Sequence, residues 1–165
     1  MLKAYTDGSA LNNGLAGNIG GFGYVIVDEH DHIIDAFSSP RIKNTTNNAQ
    51  ELLAIWAVLK KYPDEELSIY SDSYYALNSI CTWMYNWAKN DWKNTASRRI
   101  ENYDIIITIY KFMTTKKPKV EFYKIKGHQG EKYNELADKL ATGEIKPESI
   151  LWEGDISSGE KEEHI

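Results

Sequence analysis

The chain holds one cysteine, Cys81, which excludes an internal disulfide and fits a cytoplasmic protein. With only four scattered histidines beside that thiol, a structural zinc site is excluded as well. Long apolar runs are missing too. Ile105-Ile106-Ile107 falls far short of the length needed to cross a bilayer. The opening residues, Met1-Leu2-Lys3-Ala4-Tyr5-Thr6-Asp7, have no apolar signal core, so export by that route is not expected. Apolar residues make up 42% of the 165 positions and charged residues 26%, which describes one ordered globular unit rather than a disordered chain.

The net charge of -5 is a poor match to a polyanion, but its distribution is uneven. Residues 148–165 contain six acids and one base, so this tail accounts for the whole excess. Residues 83–126 hold ten Lys/Arg against four Asp/Glu. A chain polarised in this way suits docking of a polyanion by one region and an acidic site in another.

Periodicity predicts a strand from Leu2 to Asp7, followed by a Gly/Asn-rich loop through Asn12-Asn13-Gly14 to Gly21. Phe22 to Val27 and Ile33 to Phe37 form a predicted hairpin, and the glycines at 20–23 mark a bulge or a close backbone approach. Ala49, Leu52, Leu53, Trp56, Ala57 and Leu59 make one helical stripe, with Asn48 and Glu51 spaced as a capping box. Leu67 to Asp72 alternates as a strand and Ser73 opens a helix. Arg99 to Thr114 is β-branched enough to suit a strand, but its length and the stripe Ile100, Tyr103, Ile107, Tyr110 favour a helix. A strand at Val120–Lys126 and a helix at Glu131–Thr142 with Leu136, Ala137, Leu140 and Ala141 inward complete the pattern.

Two predicted strands end in an acid followed by a small residue, Asp7-Gly8-Ser9 and Asp72-Ser73. Open α/β sheets bind ligands beyond the carboxyl ends of their strands, so side-by-side strands would put both acids at one edge. Glu51 lies in the first turn of a predicted helix, and Asp138 one turn after Asn134 on the last one. Each acid alone also reads as a turn residue, a cap or surface charge. Gathered in one pocket, they would repel one another unless cations neutralised them. Hard oxygen donors favour Mg2+ or Mn2+ over zinc. Two such ions, about 3.5–4 Å apart, suit in-line phosphodiester hydrolysis.

The motifs Tyr5-Thr6-Asp7-Gly8-Ser9, Thr45 to Leu52, Ser71-Asp72-Ser73, Lys126-Gly127-His128 and Asn134 to Ala141, in this order, resemble type 1 ribonuclease H from Leu2 to about Thr142. The resemblance implies an α/β ribonuclease H-like fold: a mixed five-stranded sheet, three antiparallel strands then two parallel, flanked by helices. It assigns residues 1–145 to the catalytic domain and 146–165 to an acidic C-terminal tail. It implies an endoribonuclease that hydrolyses the RNA strand of RNA/DNA hybrids by a two-metal-ion mechanism, giving 5′-phosphate and 3′-hydroxyl ends. Two Mg2+ ions, with Mn2+ as substitute, would be held by Asp7, Glu51, Asp72 and Asp138. His128 matches the family's mobile-loop histidine, and Gly127 and Gly130 would let that loop move.

For the substrate, the resemblance places Asn13 and Asn48 at 2′-hydroxyls in the minor groove. It places Tyr75 and Trp83 against deoxyribose, and Thr46 with Asn102 in a DNA-phosphate pocket. Lys89, Lys93, Arg98 and Arg99 add salt-sensitive attraction. A monomer is implied. The chain departs from bacterial relatives in a less basic Trp87–Lys93 protrusion, in a longer Leu15–Gly21 loop, and in Tyr74, where a polar amide is usual. The alternatives are a non-catalytic hybrid-binding module of the same fold and a related nuclease acting on DNA.

Overall fold

The computed structural model describes residues 1–11, 15–126 and 131–151. Its elements run β1 (Leu2–Leu11), β2 (Ile19–Val27), β3 (Ile33–Ser38), β4 (Ile42–Lys43), α1 (Asn47–Lys61), β5 (Leu67–Ser71), α2 (Tyr74–Asn78), α3 (Met84–Lys89), α4 (Tyr103–Lys116), β6 (Val120–Lys124) and α5 (Lys132–Thr142). A π-helical turn, Ser79–Trp83, joins α2 to α3. The sheet order is β3-β2-β1-β5-β6; β1 to β3 are antiparallel, and β5 and β6 run parallel to β1. This is the expected mixed sheet, with one addition: the two-residue β4 pairs with β2 through Ile19 and Gly20.

Alternation along the strands sends successive side chains to opposite faces and builds a core on each. Ala4, Tyr24, Ile26 and Ile69 face α1 and α4, packing with Leu52, Ile55, Leu59, Ile106 and Ile109. Tyr5, Val25 and Val27 face the other way, against Ala137 and Leu140 of α5. Ile150, in a helical turn at 147–151, is buried in this second core, so the chain stays packed past the end of α5.

Three expectations shift. β1 continues four residues beyond Asp7, because Gly8 to Leu11 keep pairing with β2, from Phe22 to Ile19. The cap of α1 is Thr46, whose Oγ1 accepts from the Ala49 N–H at 3.0 Å, not an Asn48–Glu51 box. The buried stripe of α1 centres on Leu52, Ile55 and Leu59 rather than on Leu53 and Trp56, and α4 turns Ile106 inward in place of Ile107. In both helices several apolar residues compete, and the sheet decides which face is covered.

Tyr5, Tyr70 and Tyr123 occupy paired positions on β1, β5 and β6. Their rings stack at 4.8 and 5.0 Å between centroids. This row fixes the parallel register, and two residues further on stand Asp7 and Asp72.

Candidate functional site

Beyond Tyr70, β5 stops at Ser71 while β1 carries on with β2 alone. The connections from β1 and β5 then leave in opposite directions, β1 to β2 and β5 through the helices to β6. Such a divergence opens a crevice at the carboxyl ends of the strands. Asp7 lies on its β1 side and Asp72 just past the end of β5.

The N-terminal turn of α1 enters the same crevice because Gly8 has no side chain. A Cβ on Gly8 would stand 2.3 Å from the backbone nitrogen of Glu51 and 2.4 Å from the carbonyl carbon of Gln50. The bare backbone lets the Gly8 N–H donate to Glu51 Oε1 at 3.0 Å. Glu51 therefore reaches Asp7 from one face of the sheet. From the other face, α5 closes on β2 over Gly23, where a Cβ would lie 2.6 Å from that of Leu140. Arg41 anchors the end of α5: its guanidinium donates to the Ala141 carbonyl and, at 3.1 Å, to that of Leu140. Asp138 is thereby carried to the crevice, near enough to raise the Asp7 carboxyl.

Asp7, Glu51 and Asp72 each offer an oxygen, and these atoms lie within 4.8 Å of one another. Asp7 and Glu51 are buried, Asp72 is half-buried and Asp138 is exposed at the rim. Burial first, then the neighbouring charge of Glu51, raises the Asp7 carboxyl far above its ordinary value near 3.8; Asp72 and Asp138 push the same way. Glu51 is raised too, chiefly by burial, with the hydrogen bond from Asp7 and the Gly8 N–H opposing. Burial and mutual repulsion thus favour the protonated forms of both carboxyls in the folded, metal-free chain.

The sign of the linkage follows. A carboxyl raised in the folded state keeps its stabilising proton below the unfolded value near 4 and loses that contribution as pH rises towards the folded value. In EDTA, the Tm advantage of Asp7→Asn over the wild type should grow steadily from pH 4 to pH 8. A constant difference, measured by circular dichroism melting, would mean that the acids are not in contention for charge.

Glu51 Oε2 is buried and finds no hydrogen-bond partner among the described residues. An orphaned carboxylate oxygen beside two other carboxylates is a donor set suited to a hard divalent cation.

The other expected site residues divide in two. Asn102 donates to the Tyr75 hydroxyl at 3.0 Å, and the Tyr75 and Trp83 rings meet edge-on at 6.3 Å, so these three form one surface beside the crevice. Trp83 is 38% exposed, which leaves its ring available. Thr46 and Asn48 lie exposed at the start of α1. Asn13 and His128 lie outside the described residues. Sequence reasoning offered the Gly8–Ala10 backbone only for substrate contacts and missed the seating of α1 on Gly8 and the role of Arg41, for which a glycine after an acid and an arginine after a proline give no distinctive signal.

The RNase H family model matches residues 1–146. The chain is 34% identical over 142 residues to a ribonuclease H of Haemophilus influenzae, covering 86% of this chain and 87% of the relative. It is 36% identical over 140 residues to one from Clostridium botulinum, covering 83% and 90%. Among solved structures it resembles the solution structure of the PFV RNase H domain at 25% identity and a TM-score of 0.70, covering 86% of this chain and 92% of that one.

Proposed function

This chain belongs to the ribonuclease H family, and we propose that the crevice between β1 and β5 is where it hydrolyses the RNA strand of RNA/DNA hybrids, leaving 5′-phosphate and 3′-hydroxyl ends. The observation that carries this reading is the convergence of Asp7, Glu51 and Asp72, with an unpartnered Glu51 oxygen, at the mouth of a sheet crevice. Divalent ions held by these residues and Asp138, two Mg2+ when substrate is present or Mn2+ in their place, would supply charge neutralisation, water activation and leaving-oxygen stabilisation.

The protein's own residues do the rest. Glu51, held by the Gly8 N–H, presents its oxygens beside those of Asp7 and Asp72. Asp72 and the exposed Asp138 approach from the end of β5 and from α5. His128 is assigned to proton transfer or product release. Asn13 and Asn48 read 2′-hydroxyls, while Tyr75, Trp83, Thr46 and Asn102 receive the DNA strand. Residues 1–145 form the catalytic unit and 146–165 an acidic tail. Among the described residues no helix is long and apolar enough to cross a membrane. The lone Cys81 supports a cytoplasmic setting, and we take the working form to be a monomer.

The test is a comparison of labelled RNA/DNA hybrid, duplex DNA and duplex RNA of one sequence in Mg2+. Cleavage confined to the hybrid is expected. Equal cutting of duplex DNA would favour a DNA nuclease of the same fold, and hybrid binding without cutting a non-catalytic module.

A further inference from the structure

Tyr74 and Tyr75 are consecutive at the start of α2, so their side chains diverge by about 100° around the helix. Tyr75 turns towards Asn102 and Trp83. Tyr74 turns away from that pair, towards the end of β6, and is 70% exposed. There the Lys124 ammonium stands 4.5 Å from the centroid of its ring. Lys124 ends β6 and pairs in register with Ser71, the residue before Asp72. Its Nζ donates to the Ile125 carbonyl at 2.6 Å, and Lys124 makes no ion pair among the described residues. Backbone and ring thus hold a cation beside an acidic site without neutralising it, and an ammonium has three donors.

We propose that Lys124, braced by Tyr74, is a phosphate-binding subsite for the RNA strand, one or a few linkages from the cut. This assignment follows from position and rests on the hybrid reading above. The residues assigned to the DNA strand lie on the Tyr75 side of Asp72. A cation at the end of β6, paired beside Ser71 and away from that surface, is placed to meet the strand being cut, whose backbone passes the carboxylate cluster. A cation–π contact orients an ammonium while leaving its charge in place. Tyr74, where an amide is expected, is on this account the brace for a charge rather than a lost hydrogen bond.

The experiment measures steady-state cleavage of a hybrid across a salt series for the wild type, Lys124→Gln and Tyr74→Leu. Lys124→Gln should raise KM roughly three- to fivefold. It should also flatten the dependence of log(kcat/KM) on log[salt] by about one unit, with kcat falling less than KM rises. Tyr74→Leu, which keeps bulk but not the π face, should raise KM by a smaller factor. A single uncharged methylphosphonate linkage, walked along the RNA strand, should at one position cost the wild type what Lys124→Gln costs and leave that variant unaffected. Unchanged KM and salt slope in Lys124→Gln would overturn the subsite. So would mimicry by a neutral linkage in the DNA strand alone. Absence of cleavage by the wild type would instead refute the hybrid reading on which it stands.

Discussion

Asp72→Asn should lower the rate of RNA-strand cleavage by roughly 10³-fold or more, while Tm stays within about 2 °C of the wild type or rises. Cation-mediated stabilisation of the developing charge is worth several kcal/mol, and each 1.36 kcal/mol is tenfold in rate. An amide removes one anionic donor from the three that converge within 4.8 Å. Stability behaves differently because Asp72 raises the carboxyls of both Asp7 and Glu51, so its charge opposes folding in the metal-free protein. Single-turnover kinetics and thermal melts together check the pairing of effects. A large fall in Tm would make Asp72 a structural residue and remove the basis for assigning it to chemistry.

Gly8→Ala should be strongly damaging to both stability and cleavage. The added methyl would meet the backbone of Gln50 and Glu51 at 2.3–2.8 Å, and no flexible side chain is there to move aside. Relief requires α1 to back away from β1, which opens the core between Ala4, Leu52 and Ile55 and breaks the Gly8 N–H to Glu51 bond. Overpacking of this kind costs about 3 kcal/mol or more, roughly 6–12 °C in Tm for a domain of this size. Cleavage measured well below the lowered Tm should fall as well, because Glu51 is displaced from Asp7. A variant that melts within about 2 °C of the wild type would show that α1 does not depend on this contact.

These two residues also mark how far the sequence could be read. Asp72 was legible: an acid after an alternating strand, in order with Asp7, Glu51 and Asp138, points to an edge where carboxylates meet. The mixed sheet came with the resemblance to ribonuclease H that the same ordered motifs carry. Gly8 was not legible, because T-D-G-S suits a turn at the end of a strand equally well. Pairing with Phe22 carries β1 through Gly8, and β2 starting as early as Ile19 carries it on to Leu11. Thr46 and Asn48 are both plausible caps by residue type, and the choice rests on the backbone at Thr46 being extended. Glu51 looked like part of that cap and instead accepts from a strand 43 residues away in sequence, a contact no local pattern encodes. The Lys124–Tyr74 pair is likewise a product of the β5–β6 register.

The central claim is that this carboxylate crevice is a divalent-cation site that cuts RNA opposite DNA. Its most direct test is a hybrid labelled on each strand in turn, incubated with the wild-type protein in EDTA and then with stepwise addition of Mg2+. The account predicts no cleavage in EDTA, RNA-strand cleavage that rises and saturates with Mg2+, and an intact DNA strand throughout. RNA cleavage undiminished in EDTA, or tight hybrid binding with no cleavage at any Mg2+ concentration, would contradict it.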